Sequence, residues 1–240
     1  PCLLDSGLSS ASLIYGKASM NLHYSLIKLK IRLLEGRKVS STEVVRRLSL
    51  KRRMQLTDTR MIGITGSGAK STTSALLFHL LSGSRRTALS FHENALDDMA
   101  MRMARFPKSI NFGVFEISGH EPGAIDQACE VVQPDVAIIT IVGGDHRTNF
   151  AGGLEIAQEK GTLAQRVAER AGIVLLNADD PLVRGMQARA AGKALLYGEA
   201  PDADYRAIEV RHSRDGYLQF TCLHRGEAVA FELALLGRHL

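Results

Sequence analysis

Apolar and polar residues follow two different periods along this chain, and the change between the periods marks out the predicted elements. From residue 61 onward, short apolar runs predict β-strands, with candidates at 61–65, 86–90, 112–117, 135–142, 172–176 and 193–197. Between most of them, apolar residues recur every three or four positions and predict helices at 70–82, 94–105, 123–131, 154–169 and 181–190. Alternating strands and helices are typical of an α/β fold with a mainly parallel sheet and helices on both faces. Functional groups are then expected at the carboxyl ends of the strands.

The pattern changes after about residue 203. Short strands are predicted at 207–210, 217–222 and 228–236. The dipeptide Asp215-Gly216 between the first two is a strong hairpin signal. We therefore expect a small antiparallel appendage.

Residues 1–60 allow two interpretations. The run 26–34 (LIKLKIRLL) alternates apolar and basic residues like a strand, but its leucines also fit one face of a helix. We favour a helical segment that stops at Gly36, followed by a second helix that is capped by Ser40 or Ser41 and runs through Leu48. The predicted organisation is a basic, helical N-terminal segment at 1–60 and one domain at 61–240.

Composition restricts the class of protein. The chain has 240 residues with 45% hydrophobic and 23% charged content, which fits one large or two modest globular domains. Its apolar runs are far shorter than the roughly 20 residues of a membrane-spanning helix, so no transmembrane segment is predicted. Cys2, Cys129 and Cys222 lie far apart, which predicts neither a disulfide framework nor a metal site. The expected location is a reducing cytoplasm.

Charge is distributed unevenly. Residues 1–60 hold 12 Lys and Arg against 4 Asp and Glu, a net charge of +8, whereas the remainder has a net charge of −3. The basic clusters at 46–47 and 51–53 are suited to nucleic acid, an anionic membrane face or an acidic substrate. We favour a solvated linker, because no aromatic residues lie between the basic ones to stack on bases.

The strongest chemical signal is the run 63–73, GITGSGAKSTT. A strand, a glycine-rich turn, Lys70 and hydroxyls that open a helix together form a phosphate cradle, in which backbone N–H groups face the anion and a hydroxyl can bind Mg²⁺. The common P-loop pattern requires glycine where this chain has Ile64 and Ala69. Alanine next to the lysine disfavours a positive φ. The simpler alternative is a turn that merely joins a strand to a helix.

Further polar residues follow the predicted strands. Glu116 interrupts an apolar strand, where a carboxylate is costly unless it is paired or bound to a metal. It is therefore a candidate Mg²⁺ ligand, with a solvent-facing edge position as the alternative. His146 follows the strand 135–142 and can bind a metal or orient a substrate. Considered alone, Lys160 is interpreted as a solvated lysine on a helix. Asp179 in the motif NADDP is interpreted as a helix cap.

Together and in this order, these segments resemble the central ATP-binding domain of the Mur ligase family. That family includes the cell-wall amino-acid ligases of peptidoglycan biosynthesis, folylpolyglutamate synthase and cyanophycin synthetase. The run TGSGAKSTT lies over the family P-loop, and FEISGHEPG is similar to its Glu-containing strand. The runs ITIVGGDH, GGLEIAQEKGTL, NADDP and LLGRH are similar to its further motifs, so that the resemblance covers residues 61–240.

The resemblance implies ATP and Mg²⁺ as cofactors and assigns a role to each matching residue. Lys70 would bind the β- and γ-phosphates, Ser71 and Glu116 one Mg²⁺, and His146 a second. Lys160 matches a lysine that is carbamylated by CO₂ in many members, and it would bind a metal or orient the substrate. Lys70, His146 and Lys160 are thus the expected catalytic residues. The expected nucleotide-binding residues are Thr65, Gly66, Ser67, Gly68, Ala69, Lys70, Ser71, Thr72 and Asn177.

The implied activity is that of an ADP-forming acid–amine ligase. ATP phosphorylates a small carboxylate, and an amine then displaces phosphate from the acyl phosphate. From the resemblance we expect that the family's C-terminal domain is missing, and residues 1–60 do not resemble the usual UDP-binding domain. Two alternatives stay open: a nucleotide-binding module without ligase activity, suggested by Ala69, and an NTPase associated with an anionic polymer or a membrane.

Overall fold

The computed structural model describes residues 40–90, 96–143, 150 and 152–234. In this part of the chain, nine strands form one sheet in the order β2-β3-β1-β4-β5-β6-β7-β8-β9. The strands are β1 (Arg60–Thr65), β2 (Thr87–Ser90), β3 (Phe112–Glu116), β4 (Val136–Ile139), β5 (Ile173–Asn177), β6 (Ala194–Gly198), β7 (Tyr205–His212), β8 (Leu218–His224) and β9 (Glu227–Leu233). The helices are α1 (Ser41–Met54), α2 (Lys70–Ser82), α3 (Leu96–Arg105), α4 (Ala124–Val132), α5 (Gly153–Glu169) and α6 (Pro181–Arg184), with a 3-10 helix at Gly185–Ala190.

The predicted α/β architecture is confirmed. Strands β1 to β7 pair in parallel, and β8 and β9 add antiparallel strands at one edge. The hairpin predicted at Asp215-Gly216 is present, with Gly216 at φ 84° and the Ser213 amide bonded to the Tyr217 carbonyl at 2.8 Å. The appendage is therefore a continuation of the main sheet.

Two predicted elements differ in extent. Strand β4 ends at Ile139 instead of residue 142, because from Thr140 onward the chain bonds to the loop after β1. The predicted helix at 181–190 is a single α-helical turn followed by the 3-10 helix that begins at Gly185. In that 3-10 helix Met186 and Ala190 are buried in the main core, so packing holds a segment that lacks regular α-helical bonds.

Side chains of alternate residues enter two cores, one on each face of the sheet. From β1, Ile62 and Ile64 pack with Leu77 and Leu81 of α2. Met61 points to the opposite face, into a larger core to which α3, α4 and α5 contribute. The expectation of helices on both faces is confirmed, and it follows from the two-residue period of a strand.

Helix α1 confirms the second helix predicted in residues 1–60. Ser40 caps it by accepting a hydrogen bond from the Glu43 amide at 3.1 Å, and Val45 packs against Ala100 and Val131. The first predicted helix of this segment lies outside the described residues. The division of the chain at residue 60 stays a prediction.

Helix α1 is also joined to the sheet by Arg53. Arg53 is 9% exposed, and its guanidinium donates to the carbonyls of Val132 and Gln133 and pairs with Asp135 at 3.2 Å. Burial lowers the pKa of Arg53, an effect that the Asp135 carboxylate opposes. None of the described helices is long and apolar enough to cross a membrane.

Candidate functional site

The glycine-rich turn connects β1 to α2 at the carboxyl edge of the sheet. Strand β1 ends at Thr65 and helix α2 begins at Lys70. A Cβ at Gly66 would collide with the Thr140 hydroxyl, so that this position requires glycine. Thr65 is buried beneath the turn, and its Oγ1 has no hydrogen-bond partner among the described residues. The predicted loop is thus present as a compact turn between a central strand and a helix.

The N-terminus of α2 is open to an anion. Ala69 occupies the N-cap position in the left-handed region, at φ 61° and ψ 0°, with no side-chain cap and no acidic residue in the first turn. The first bond of the helix runs from the Thr73 amide to the Ala69 carbonyl at 2.9 Å. The preceding helical amides, those of Lys70, Ser71 and Thr72, have no acceptor within the helix. They are suited to bind phosphate oxygens.

Lys70 is held close to this opening. Its Nζ donates to the carbonyl of Gly66 at 2.8 Å, so the side chain curls back over the turn. A lysine ammonium has three donors, and the two others are free to bind an oxyanion in this orientation. The cation and the helix amides thus lie at one opening of the turn.

Ser71 and Glu116 form a pair of oxygen ligands beside the turn. The Ser71 hydroxyl lies 3.0 and 3.1 Å from the two carboxylate oxygens of Glu116. Glu116 ends β3, which lies between β2 and β1, and only 4% of it is exposed, so the solvent-facing alternative is wrong. A hydroxyl and a buried carboxylate fit the oxygen preference of Mg²⁺. That they bind this ion stays a prediction.

The structure does not extend this pair into a larger metal cluster. Among the described residues, no three His, Cys, Asp or Glu side chains form a group that could hold a metal ion. His146, the predicted ligand of a second Mg²⁺, lies outside the described residues.

The segment that follows β4 braces the turn. The Thr140 hydroxyl donates to the Gly68 carbonyl at 2.6 Å, and the Ser67 amide donates to the Ile141 carbonyl at 2.7 Å. This role of Thr140 is not predicted from the sequence. The only sequence signal was a polar residue at the end of a strongly apolar run. This signal does not identify Gly68 as the hydrogen-bond partner.

Asn177 lies where predicted, at the end of β5, but the roles of the two aspartates after it differ from the expectation. Asp180, not Asp179, caps α6, accepting from the Leu182 and Val183 amides at 2.8 and 3.1 Å. Asp179 instead accepts from the amides of Glu199 and Ala200. The expectation that Asp179 caps the helix is wrong, because its carboxylate reaches the turn after β6.

Asp180 and Tyr197 connect the ends of β4, β5 and β6. The Asp180 carboxylate also accepts from the Val142 amide at 2.7 Å, and the Tyr197 hydroxyl donates to the Ile139 carbonyl at 3.0 Å. Burial raises the pKa of Tyr197, and the carboxylates of Asp179 and Asp180 raise it further. The phenol therefore stays protonated and keeps its donor role.

Lys160 is buried in α5 and is not the solvated lysine that its position alone suggested. It is 1% exposed. The neighbouring Glu159 is also buried, and its carboxylate accepts from the amides of Gly123 and Ile125 at 2.9 and 2.8 Å. This side of α5 thus faces the segment that follows β3. The catalytic and metal-binding role of Lys160 stays a prediction.

A parallel sheet with a glycine-rich turn, a lysine and a hydroxyl–carboxylate pair at its carboxyl edge defines a P-loop-type α/β domain. Residues 64–240 match the model of the Mur ligase middle domain, and the chain belongs to this family.

Two curated relatives of the chain are ligases. The chain is 27% identical over 189 residues to UDP-N-acetylmuramoyl-tripeptide--D-alanyl-D-alanine ligase of Bacillus subtilis, over 78% of the chain and 39% of the relative. It is 26% identical over 188 residues to UDP-N-acetylmuramate--L-alanine ligase of Coxiella burnetii, over 74% of the chain and 37% of the relative. The chain therefore spans well under half the length of these relatives.

Solved structures share the fold. MurF from Acinetobacter baumannii matches with a TM-score of 0.77 at 23% identity, over 84% of this chain and 44% of that one. MurF ligase from Thermotoga maritima in complex with ADP matches with a TM-score of 0.68 at 20% identity, over 79% of this chain and 44% of that one. Folylpolyglutamate synthase of Mycobacterium tuberculosis, also complexed with ADP, matches with a TM-score of 0.56 at 16% identity, over 82% of this chain and 55% of that one.

Proposed function

We propose that this chain binds ATP with Mg²⁺ and is the nucleotide-binding domain of an ADP-forming acid–amine ligase. The observation that carries the proposal is the Ser71–Glu116 pair beside the uncapped N-terminus of α2. Its fit to a magnesium-bound triphosphate is supported by family membership and by the ligase names of the relatives.

In this proposal the turn binds the triphosphate. The amides of residues 69–72 face the β- and γ-phosphates, and the Lys70 ammonium, bonded to the Gly66 carbonyl through one donor, neutralises them with its two others. Ser71 and Glu116 hold Mg²⁺, which when bound neutralises phosphate charge and orients the chain of phosphates. Asn177, at the end of β5, is assigned to the nucleoside.

The proposed reaction has two steps. A carboxylate oxygen of the acid attacks the γ-phosphorus, and the bond to the β-phosphate oxygen breaks, which releases ADP and leaves an acyl phosphate. The amine nitrogen then attacks the acyl carbon, phosphate leaves and the nitrogen loses a proton. Residues of this chain contribute by positioning the phosphates and by stabilising their charge, as in other phosphoryl transfers.

The remaining assignments are part of the same proposal. His146 is assigned to a second Mg²⁺, and Lys160, as a carbamate, to metal binding or substrate orientation. The partners are a small carboxylate and a small amine, and the location is the cytoplasm. Because the chain spans only 39% of the Bacillus subtilis relative, ligation is proposed for the protein that contains this domain together with further domains.

A second candidate function is nucleotide binding without ligation. It is favoured by Ala69, which adopts a backbone conformation that glycine adopts more readily. The alternative of an anionic polymer or membrane surface is disfavoured, because three arginines of the basic clusters pair with acidic residues of this chain. These pairs are Arg46–Glu130, Arg47–Glu43 and Arg53–Asp135.

Nucleotide binding is tested by calorimetric titration with a non-hydrolysable ATP analogue, with and without Mg²⁺. We expect magnesium-dependent binding that is lost in Lys70→Ala and retained in Lys51→Ala, since Lys51 is an exposed cation on α1. Absence of binding by the unmodified chain, or equal loss in both variants, would contradict the proposal.

Ligation is tested with the protein that carries this domain in its natural context. Release of ADP and phosphate should require the acid and the amine together. Magnesium-dependent binding combined with turnover in the absence of both substrates would favour an NTPase, and binding without any turnover would favour the module.

A further inference from the structure

We propose that Thr140 is a positioning residue of the nucleotide site, whose hydroxyl holds Ala69 in the left-handed conformation that the phosphate cradle needs. Only the part of this inference that concerns nucleotide affinity rests on the proposed function. Its structural part stands on the contacts between the turn and the end of β4.

Thr140 is well placed for this role. It is 4% exposed, and its amide donates to the Thr65 carbonyl at 3.0 Å, which fixes its backbone against β1. Its hydroxyl lies 2.6 Å from the Gly68 carbonyl and 3.3 Å from the Thr65 carbonyl. A hydroxyl has one hydrogen, and the shorter distance assigns it to Gly68.

The Gly68 carbonyl determines where the Ala69 amide points. Both groups belong to one planar trans peptide, in which the C=O and the N–H point in opposite directions. Because Thr140 holds the carbonyl on the inner side of the turn, the Ala69 amide faces outward. A flip of this peptide would turn the amide away from the phosphates.

Ala69 gives this contact its importance. At φ 61° its Cβ approaches the neighbouring carbonyl, a free-energy cost that glycine does not have. The strain favours a flip of the Gly68–Ala69 peptide, and the Thr140 hydrogen bond opposes it. In a loop with glycine at this position the same hydrogen bond would be of little consequence.

Two further bonds support the same arrangement from the same segment. The Ser67 amide donates to the Ile141 carbonyl at 2.7 Å, and the Ser67 hydroxyl donates to the Gly143 carbonyl at 3.4 Å. The part of the turn before Gly68 is thus bonded to residues 140–143 through Ser67. If the Thr140 hydroxyl were lost, Ser67 would stay bonded, and the Gly68–Ala69 peptide alone would become free to rotate.

The first test measures the affinity for a magnesium-bound ATP analogue in a double-mutant cycle. Thr140→Val keeps the shape of the side chain and removes its donor, and we expect it to weaken binding about five- to tenfold, the effect of one hydrogen bond. Thr140→Ser keeps the hydroxyl and should bind like the unmodified chain. Adding Ala69→Gly to Thr140→Val should restore affinity to within about twofold, because glycine adopts the positive φ without help.

Thr59→Val is the matched control. Thr59 is also 4% exposed, and its hydroxyl donates to the Ile110 carbonyl at 2.8 Å, but it precedes β1 at the opposite edge of the sheet. Its loss should leave nucleotide affinity unchanged. Equal weakening in Thr59→Val and Thr140→Val, or no recovery with Ala69→Gly, would overturn the positioning role.

The second test does not depend on nucleotide. We expect Ala69→Gly to raise the urea midpoint of unfolding in the unmodified chain and in Thr59→Val, because in both the strain at Ala69 persists. In Thr140→Val the peptide is free to flip, the strain is already relieved, and the midpoint should not rise. Equal rises in all three backgrounds would overturn the inference, whether or not the chain binds ATP.

Discussion

Ala69 shows how one residue can matter through its backbone more than through its side chain. The αL conformation at this position costs an L-amino acid about 1–2 kcal/mol, and the described loop nonetheless adopts it at φ 61°. Hydrogen bonds to residues 140–143 hold the loop in this conformation. A strained residue persists when the surrounding structure constrains it in this way.

Ala69→Gly should therefore stabilise the domain by about 1 kcal/mol and raise its Tm by about 2–4 °C. The affinity for ATP should change less than about threefold, because the loop already has the binding conformation. Thermal unfolding and calorimetric titration measure the two effects. Ala191→Gly is a matched control, since Ala191 has φ 50° far along the chain from the loop, and it should change stability alone. A large gain in affinity for Ala69→Gly alone would mean that the natural loop is not arranged for binding.

Glu116 is the residue on which the magnesium proposal depends most directly. Glu116→Gln keeps the size of the side chain and removes the charge, so that the effect of Mg²⁺ on affinity for the ATP analogue should fall by at least about tenfold, or about 1.4 kcal/mol. Titrations at several Mg²⁺ concentrations would show this. Glu159→Gln is the control, because Glu159 is likewise buried but bonds to amides at the start of α4. An undiminished magnesium effect in Glu116→Gln would remove Glu116 from the metal site.

The candidate residues that could be predicted from the sequence are those whose side-chain chemistry is itself the signal. Lys70, Ser71 and Glu116 stand out because a charge or hydroxyl occurs next to an apolar strand, and the structure brings the last two into contact. Thr140 and Asp180 could not be found in this way. Their roles depend on partners that are distant in sequence, Gly68 and Val142, and threonine and aspartate are common at strand ends and helix caps for purely local reasons.

At the scale of elements, a single carboxylate can join two separate segments through hydrogen bonds. Asp180 caps α6 and binds the Val142 amide beyond β4, and Glu159 of α5 binds two amides at the start of α4. The existence of these elements could be predicted from hydrophobic period. Their ends could not be, because β4 stops where Thr140 finds a partner on the neighbouring loop. A local pattern contains no information about such a partner.

Asp180→Ala should affect both stability and nucleotide binding. Loss of the cap should cost about 1 kcal/mol, and loss of the bond to Val142 should loosen residues 140–143 and weaken affinity for the ATP analogue severalfold. Ser40→Ala is the control, since it removes the comparable cap of α1 and should lower stability alone. Denaturant unfolding and calorimetry separate the two variants. If both lowered stability and neither changed affinity, the segment after β4 would not depend on Asp180 for its position.

At the scale of the whole molecule, the order of strands determines what meets at the carboxyl edge. Strand β1 lies between β3 and β4, so its loop lies between Glu116 on one side and Thr140 on the other. The sequence predicts a parallel sheet but not this order, because strand order depends on crossovers between segments whose hydrophobic patterns are alike. The resemblance to the Mur ligase family, in contrast, implies that Lys70, Ser71 and Glu116 belong to one site.

The attachment of α1 is a second property of the whole molecule, and it can be tested at Arg53. Arg53→Ala should destabilise the domain by about 3 kcal/mol, because it leaves the partly buried Asp135 without its cation and three carbonyls without their donor. Asp135 also accepts from the Met61 amide at 2.8 Å, so the loss would reach the start of the central strand β1. Arg47→Ala, on the same helix but in an exposed pair with Glu43, should cost less than about 0.5 kcal/mol. Urea unfolding of the two variants gives the comparison. Equal and small effects would mean that α1 contributes little to the folded domain, whereas the expected difference would make α1 an integral part of the body that holds the nucleotide site.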